Sequence, residues 1–189
     1  MITYFLLFDP FGYAISPVSL VSVSLAAWVY MRGLVRSARI RGTVSMWRQA
    51  LFFAGLTCIL AATNAPLASL GYSLFSVHQV EHLLLRLAGP LLFAVSQPWR
   101  LLQAGLNRRW RRYLGALGKS ITLRLLAHPV TATAALITSL FIWQIPVLYG
   151  LAQRIAAIEV FAHFAMVLAG IWYFGMLFDP RDPPEGARR

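Results

Sequence analysis

Long apolar runs separated by short arginine-rich stretches dominate the chain. Five windows are apolar over roughly the 20 residues that a helix needs to cross about 30 Å of hydrocarbon. They cover Ala14–Met31, Gln49–Leu67, Phe75–Ser96, Pro129–Tyr149 and Ile155–Leu177. The runs are continuously apolar rather than alternating, which predicts helices and not barrel strands. The expectation is an all-α integral membrane protein forming a single transmembrane helical domain over residues 1–189, with about five spans.

The basic residues orient these spans. Arg32, Arg36, Arg39, Arg41 and Arg48 follow the first window. Arg100, Arg108, Arg109, Arg111, Arg112, Lys119 and Arg124 separate the third from the fourth, and Arg181, Arg188 and Arg189 follow the fifth. The other two connections carry only Arg154 between them. Positive loops stay in the cytoplasm, which predicts the N-terminus outside and the C-terminus inside. Residues Met1–Ala14 hold no Lys or Arg, so the charged start of a signal peptide is missing. That segment reads as an extracytoplasmic lead-in, and Asp179–Arg189 as a flexible tail. Trp99, Leu101, Leu102, Leu106, Trp110 and Tyr113 interleave with the arginines of the long inner loop. This pattern predicts a helix lying on the anionic inner leaflet.

Composition agrees. Hydrophobic residues make up 59% of the 189 positions and charged residues 12%, where soluble domains carry about 25% charge. The net charge of +11 belongs to the loops, and no nucleic-acid motif accompanies it. The single cysteine, Cys58, excludes an internal disulfide and a paired-cysteine metal site. No hydrolytic motif or phosphate-cradling loop is present, so the chain reads as a non-enzyme.

Ionisable groups inside a bilayer are costly and mark candidate function. They are His78, Glu81, His82 and Arg86 in the third window and Glu159 and His163 in the fifth. Asn64 and Gln144 are polar members of the second and fourth. With the predicted topology, His78, His82, Glu159, His163, Asn64 and Gln144 share one depth, about 5–12 Å below the outer surface. His78 and His82 are four apart and share a helix face, a spacing that chelates one metal. Glu159 and His163 repeat it, and Met166 shares their face. Imidazoles, a carboxylate and a thioether favour copper, with zinc on the histidines and Glu159 as the alternative. The predicted metal set is His78, His82, His163 and Glu159. In the alternative readings the histidines make interhelical hydrogen bonds, Glu81 pairs with a neighbour near the interface, and Arg86 pairs with Glu159. A haem carrier would use His78 or His82 opposite His163. His128, before Pro129, reads as a helix start.

From Asn64 to Pro180 the chain resembles the multi-span cytochrome c oxidase assembly factors of the caa-type branch, the CtaG family. The resemblance is carried by Leu74-Phe-Ser-Val-His78-Gln-Val-Glu-His82-Leu-Leu-Leu with Gly89-Pro90-Leu-Leu. His128-Pro129, Trp143-Gln144-Ile145-Pro146 with Tyr149, and Glu159-Val-Phe-Ala-His163 with Asp179-Pro180 add to it. The family usually has His at the positions of Gln144 and Glu159 and an apolar residue or Met at that of Arg86. The resemblance implies a multi-pass protein of the bacterial inner membrane that acts with cytochrome c oxidase subunits. It also implies copper delivery at the outer face, with a metal-free scaffold as the alternative.

Overall fold

The computed structural model describes residues 16–41, 44–71, 74–117 and 128–178. The expectations for residues 1–14 and 179–189, and for Lys119 and Arg124, lie outside the described residues. Every regular element among the described residues is helical.

The first helix, α1, runs Pro17–Arg41 and continues ten residues past the predicted end at Met31. It carries Arg32, Arg36 and Arg39 on helix rather than on loop. Helix α2 spans Met46–Thr63 and stops before the predicted Leu67. The reason is Asn64, which leaves the helix with extended backbone. Its side-chain oxygen accepts from Ser16 N at 2.8 Å, and its amide nitrogen donates to Leu60 O at 2.8 Å and to Ser19 Oγ at 3.2 Å. Asn64 thus ties the end of α2 to the start of α1. The short α3, Leu67–Gly71, follows.

The third predicted window is helical over nearly its whole length. It consists of α4, Phe75–Leu83, a π turn over Leu84–Ala88, and α5, Gly89–Val95. Pro90 explains the π turn. Proline has no N–H to donate to the carbonyl four residues back, that of Arg86. The preceding Gly89 N–H bonds instead to Leu84 O, five residues back, which is the wider π pattern.

The long arginine-rich connection forms α6, Trp99–Gly105, and α7, Arg108–Leu117. Helix α8, Pro129–Ile142, begins as expected at His128, whose Nδ1 accepts from Val130 N at 3.3 Å. The fourth predicted span requires correction. Helix α8 ends at Ile142, and α9, Pro146–Arg154, leaves it at 75°. Pro146 occupies the first turn of α9, and Ile145 before it is extended, as a residue preceding proline tends to be. At 14 residues, α8 alone is about 21 Å long, short of the hydrocarbon thickness. The last helix, α10, runs Ala156–Leu177.

Three helical stretches are each long and apolar enough to cross a membrane: Pro17–Ala38, Met46–Thr63 and Ala156–Leu177. The bent pair of α8 and α9 makes a fourth if taken as one span. The exterior fits a lipid solvent. Val21, Phe141 and Phe161 are 67%, 64% and 66% exposed, where a soluble fold would bury them. Inside, Tyr30, Phe52, Leu56, Phe93 and Leu101 form one cluster between α1, α2, α5 and α6. Ala62, Leu85, Trp143, Ala162 and Met166 form another between α2, the π turn, the α8–α9 break and α10. This second cluster supports the polar residues of the bundle.

Candidate functional site

Helices α4 and α10 begin at the same end of the bundle. His78 and His82, one turn apart on α4, therefore meet His163, which lies two turns into α10. The His78 and His82 ring centroids are 4.2 Å apart, and those of His82 and His163 are 6.2 Å apart. These rings line a cleft with Trp143, Tyr149, Ala152, Gln153, Glu159, Ala162 and Met166. Its empty volume, mouth included, is about 360 Å³. The four residues expected from sequence as a metal set thus share one cleft, and Met166 is in it too, 1% exposed.

The cleft exists because the chain breaks after Ile142. If α8 had continued straight, Tyr149 and Gln153 would be carried along its axis. The 75° bend lays α9 across the histidines instead. Tyr149 meets His78 edge-on at 5.4 Å, and Gln153 Nε2 donates to the Tyr149 hydroxyl at 2.7 Å. Sequence reasoning missed both residues by running the helix through Pro146. The extended residue expected before a proline was the signal that could have found them.

Glu81 was expected among the costly ionisable groups, with pairing to a neighbour near the interface as the alternative, and it does meet a neighbour. It is 3% exposed, with Oε2 3.6 Å from His78 Nδ1 and Oε1 3.3 Å from His163 Nε2. The spacing of three residues from His78 was the available signal. Its neighbour His82 is 5% exposed. The Nδ1 of His82 and the Nε2 of His78 are buried with no hydrogen-bond partner among the described residues. Buried polar atoms are nearly always bonded, so two such nitrogens on one helix face are an unusual pair.

The other polar residues play different parts. Glu159 lies in the first turn of α10, where a carboxylate complements the helix dipole, and it lines the cleft. Gln144 stands exposed in the α8–α9 break and is not among the cleft residues. Asn64 serves the α1–α2 junction described above. Arg86, in the π turn, is 3% exposed. Its Nη1 reaches Leu140 O at 3.5 Å, while Nε and Nη2 have no partner among the described residues. The Arg86–Glu159 pairing of the alternative reading is not among the ion pairs of the described residues, and Arg86 makes a long contact with the α8 backbone. Gly170 of α10 packs on this turn, where a methyl group would overlap the Arg86 carbonyl and crowd Pro90. Helix α10 can approach the π turn this closely only because residue 170 has no Cβ.

As they stand, no three His, Cys, Asp or Glu side chains among the described residues are grouped to hold a metal ion. Two buried imidazole nitrogens have no partner among the described residues, and a thioether and a carboxylate line the same cleft.

No curated protein and no solved structure matches the chain. The family model for the cytochrome c oxidase caa3 assembly factor matches residues 28–189. That match includes every residue of the cleft and nearly all of the helical bundle. The chain belongs to the caa3-type cytochrome c oxidase assembly factor family.

Proposed function

We propose that this oxidase assembly factor takes up copper in the histidine cleft, at the outer end of the helical bundle, and passes it to an oxidase subunit. The carrying observation is the pair of buried, unpartnered nitrogens, His78 Nε2 and His82 Nδ1. Copper is cargo in this reading, so the site must release it as well as bind it. Neutral imidazoles and the Met166 thioether are soft enough for cuprous ion. The open mouth between α9 and α10 is the route in and out. The arginine distribution supports an outward-facing cleft, because the basic α6–α7 segment follows α5 at the end of the bundle opposite the cleft.

The test is copper by elemental analysis on detergent-purified protein, with an absorption spectrum of the same sample. About one copper per chain, lost in a His78→Ala/His82→Ala double variant, is the expected result. Metal-free protein that still supports oxidase assembly would sink the reading.

A second reading is a metal-free scaffold, favoured by the carboxylate of Glu81 already meeting two of the three histidines. Under it, histidine substitutions lower thermal stability and leave metal content unchanged. The haem reading fares less well. A macrocycle held between His82 and His163 would have to enter where Ala162 and Met166 are packed at 3% and 1% exposure. A Soret band would revive it.

A further inference from the structure

Glu81 is not among the residues that line the cleft; it stands behind two of the histidines that do. It touches histidines on two helices at once, His78 on its own α4 and His163 on α10. Helix α3 closes over it: a Cβ on Gly71 would stand 3.0 Å from Oε2, so the carboxylate has little room to turn. The cation nearest along the helix, Arg86, directs Nη1 to Leu140 O and makes no ion pair with it among the described residues. The carboxylate's two charged-group contacts are therefore both imidazoles.

A carboxylate accepts and does not donate, so it favours N–H on the ring nitrogen that faces it. At His78 that nitrogen is Nδ1, at 3.6 Å in electrostatic rather than hydrogen-bond contact; a proton held there leaves the Nε2 lone pair for a ligand. Nε2 is the atom found buried and unpartnered. At His163 the facing nitrogen is Nε2, at 3.3 Å. The same argument leaves its Nδ1, but that atom, unlike His78 Nε2, is not among the buried nitrogens without a partner. His82 makes no carboxylate contact among the described residues, and its Nδ1 is the second unpartnered nitrogen.

We propose that Glu81 and His163 form a positioning pair, and that the imidazole ligands of the cleft are His78 Nε2 and His82 Nδ1 alone. The proposal rests on the copper reading above and divides its histidines into two roles. A carboxylate behind a ligating histidine fixes its tautomer and ring orientation, and losing it typically weakens metal binding about 10–100-fold. His163 holds Glu81 from the facing helix. Glu159, which makes no ion pair with His78 or His82 among the described residues, is assigned no part in the ring orientation.

The experiment uses full-length protein in detergent. Cuprous ion is titrated in competition with a cuprous chelator, and the coordination shell is read by X-ray absorption. Wild-type protein is expected to show two imidazoles per copper. Glu81→Gln should keep two imidazoles and bind about 10–100-fold more weakly, and His163→Gln should behave the same way. His78→Ala should abolish binding, and Glu159→Gln should bind as wild type. Three imidazoles per copper would overturn the proposal. So would loss of binding in His163→Gln equal to that in His78→Ala, or unchanged affinity in Glu81→Gln. Wild-type protein that takes no copper overturns the copper reading and the ligand assignment together. The Glu81–His163 contact is then judged by itself, with a double-mutant cycle on thermal unfolding of Glu81→Gln and His163→Gln. Coupling between the two sites supports the pair, and strict additivity overturns it.

Discussion

Two arginines on spanning helices meet opposite fates at the two ends of the bundle. Arg36 of α1 lies where α6 ends. Its Nη1 donates to the carbonyls of Ala104, Gly105 and Leu106, at 2.9, 3.4 and 3.1 Å. Those carbonyls are the ones a helix leaves without partners at its C-terminus, so one guanidinium closes the α1–α6 junction. Arg86 of the π turn is buried, makes one long contact, and has two nitrogens without partners among the described residues. The histidines beside it have two more. A junction whose polar groups satisfy one another is complete without a ligand. A cluster that buries lone pairs and N–H groups unpaired is costly, and its persistence is what a site for something further looks like.

The first way to break this comparison is at the closed end. Gly33 and Gly105 let α1 and α6 meet backbone to backbone. A Cβ on Gly33 would overlap Leu101 O, and one on Gly105 would overlap Val29 O. Neither clash can be relieved by a side-chain rotation, since each involves main chain. Gly105→Val should therefore cost about 3 kcal/mol, the upper part of the range for overpacked sites, measured as a lowered thermal midpoint in detergent. Copper bound per folded chain should stay at the wild-type level. A parallel loss of copper and stability would mean that the two ends are coupled, and the contrast between them would fall.

The arginines themselves give the next largest effects, and with opposite signs. Arg36→Ala removes the cap of α6 from a partly solvated junction and should destabilise by about 1 kcal/mol. Arg86→Met removes a buried charge that has no ion pair among the described residues. Apolar replacement of buried charged groups is often neutral or stabilising, so the thermal midpoint should hold or rise. If Arg86→Met instead unfolds the protein, Arg86 has partners that its contacts do not reveal, and the cleft end is more complete than it looks.

The two ends also differed in how far the sequence revealed them. The all-helical membrane architecture followed from continuous apolar runs, a signal carried by nearly every residue of α1, α2 and α10. The convergence of His78, His82, Glu159 and His163 followed from helical spacing and the parity of the spans, since α4 and α10 start at the same end. What spacing could not supply was the break at Trp143–Ile145. One proline turned a predicted span into a short helix and a cleft wall, bringing in Tyr149 and Gln153 and leaving Gln144 outside. Glu81 was hidden for another reason. A residue three positions from one histidine and next to another has no unique partner in one dimension. Only the packing of α10 on the π turn and α5, which brings His163 to Glu81, shows that its carboxylate bridges two helices. The α1–α6 junction was invisible for the same reason. Gly33, Arg36 and Gly105 are ordinary residues until the chain returns across about seventy positions.

The smallest expected effect tests the closed end on its one exception. Tyr30 is 0% exposed and stacks on Phe52 with ring centroids 3.8 Å apart and planes within 10°. Phe53 meets it edge-on at 5.9 Å. Its hydroxyl is buried with no hydrogen-bond partner among the described residues. If this end is purely structural, the ring does the packing and the hydroxyl contributes nothing favourable. Tyr30→Phe should then leave stability unchanged or raise it by up to about 1 kcal/mol, because an unsatisfied buried group is removed without loss of shape. Tyr30→Leu, which loses the stacked ring, should be clearly destabilising. Thermal unfolding of the two variants in the same detergent separates ring from hydroxyl. A Tyr30→Phe protein that is markedly less stable, or that folds normally and fails in oxidase assembly, would show that the hydroxyl has a partner. The closed end would then resemble the histidine cleft more than it differs from it.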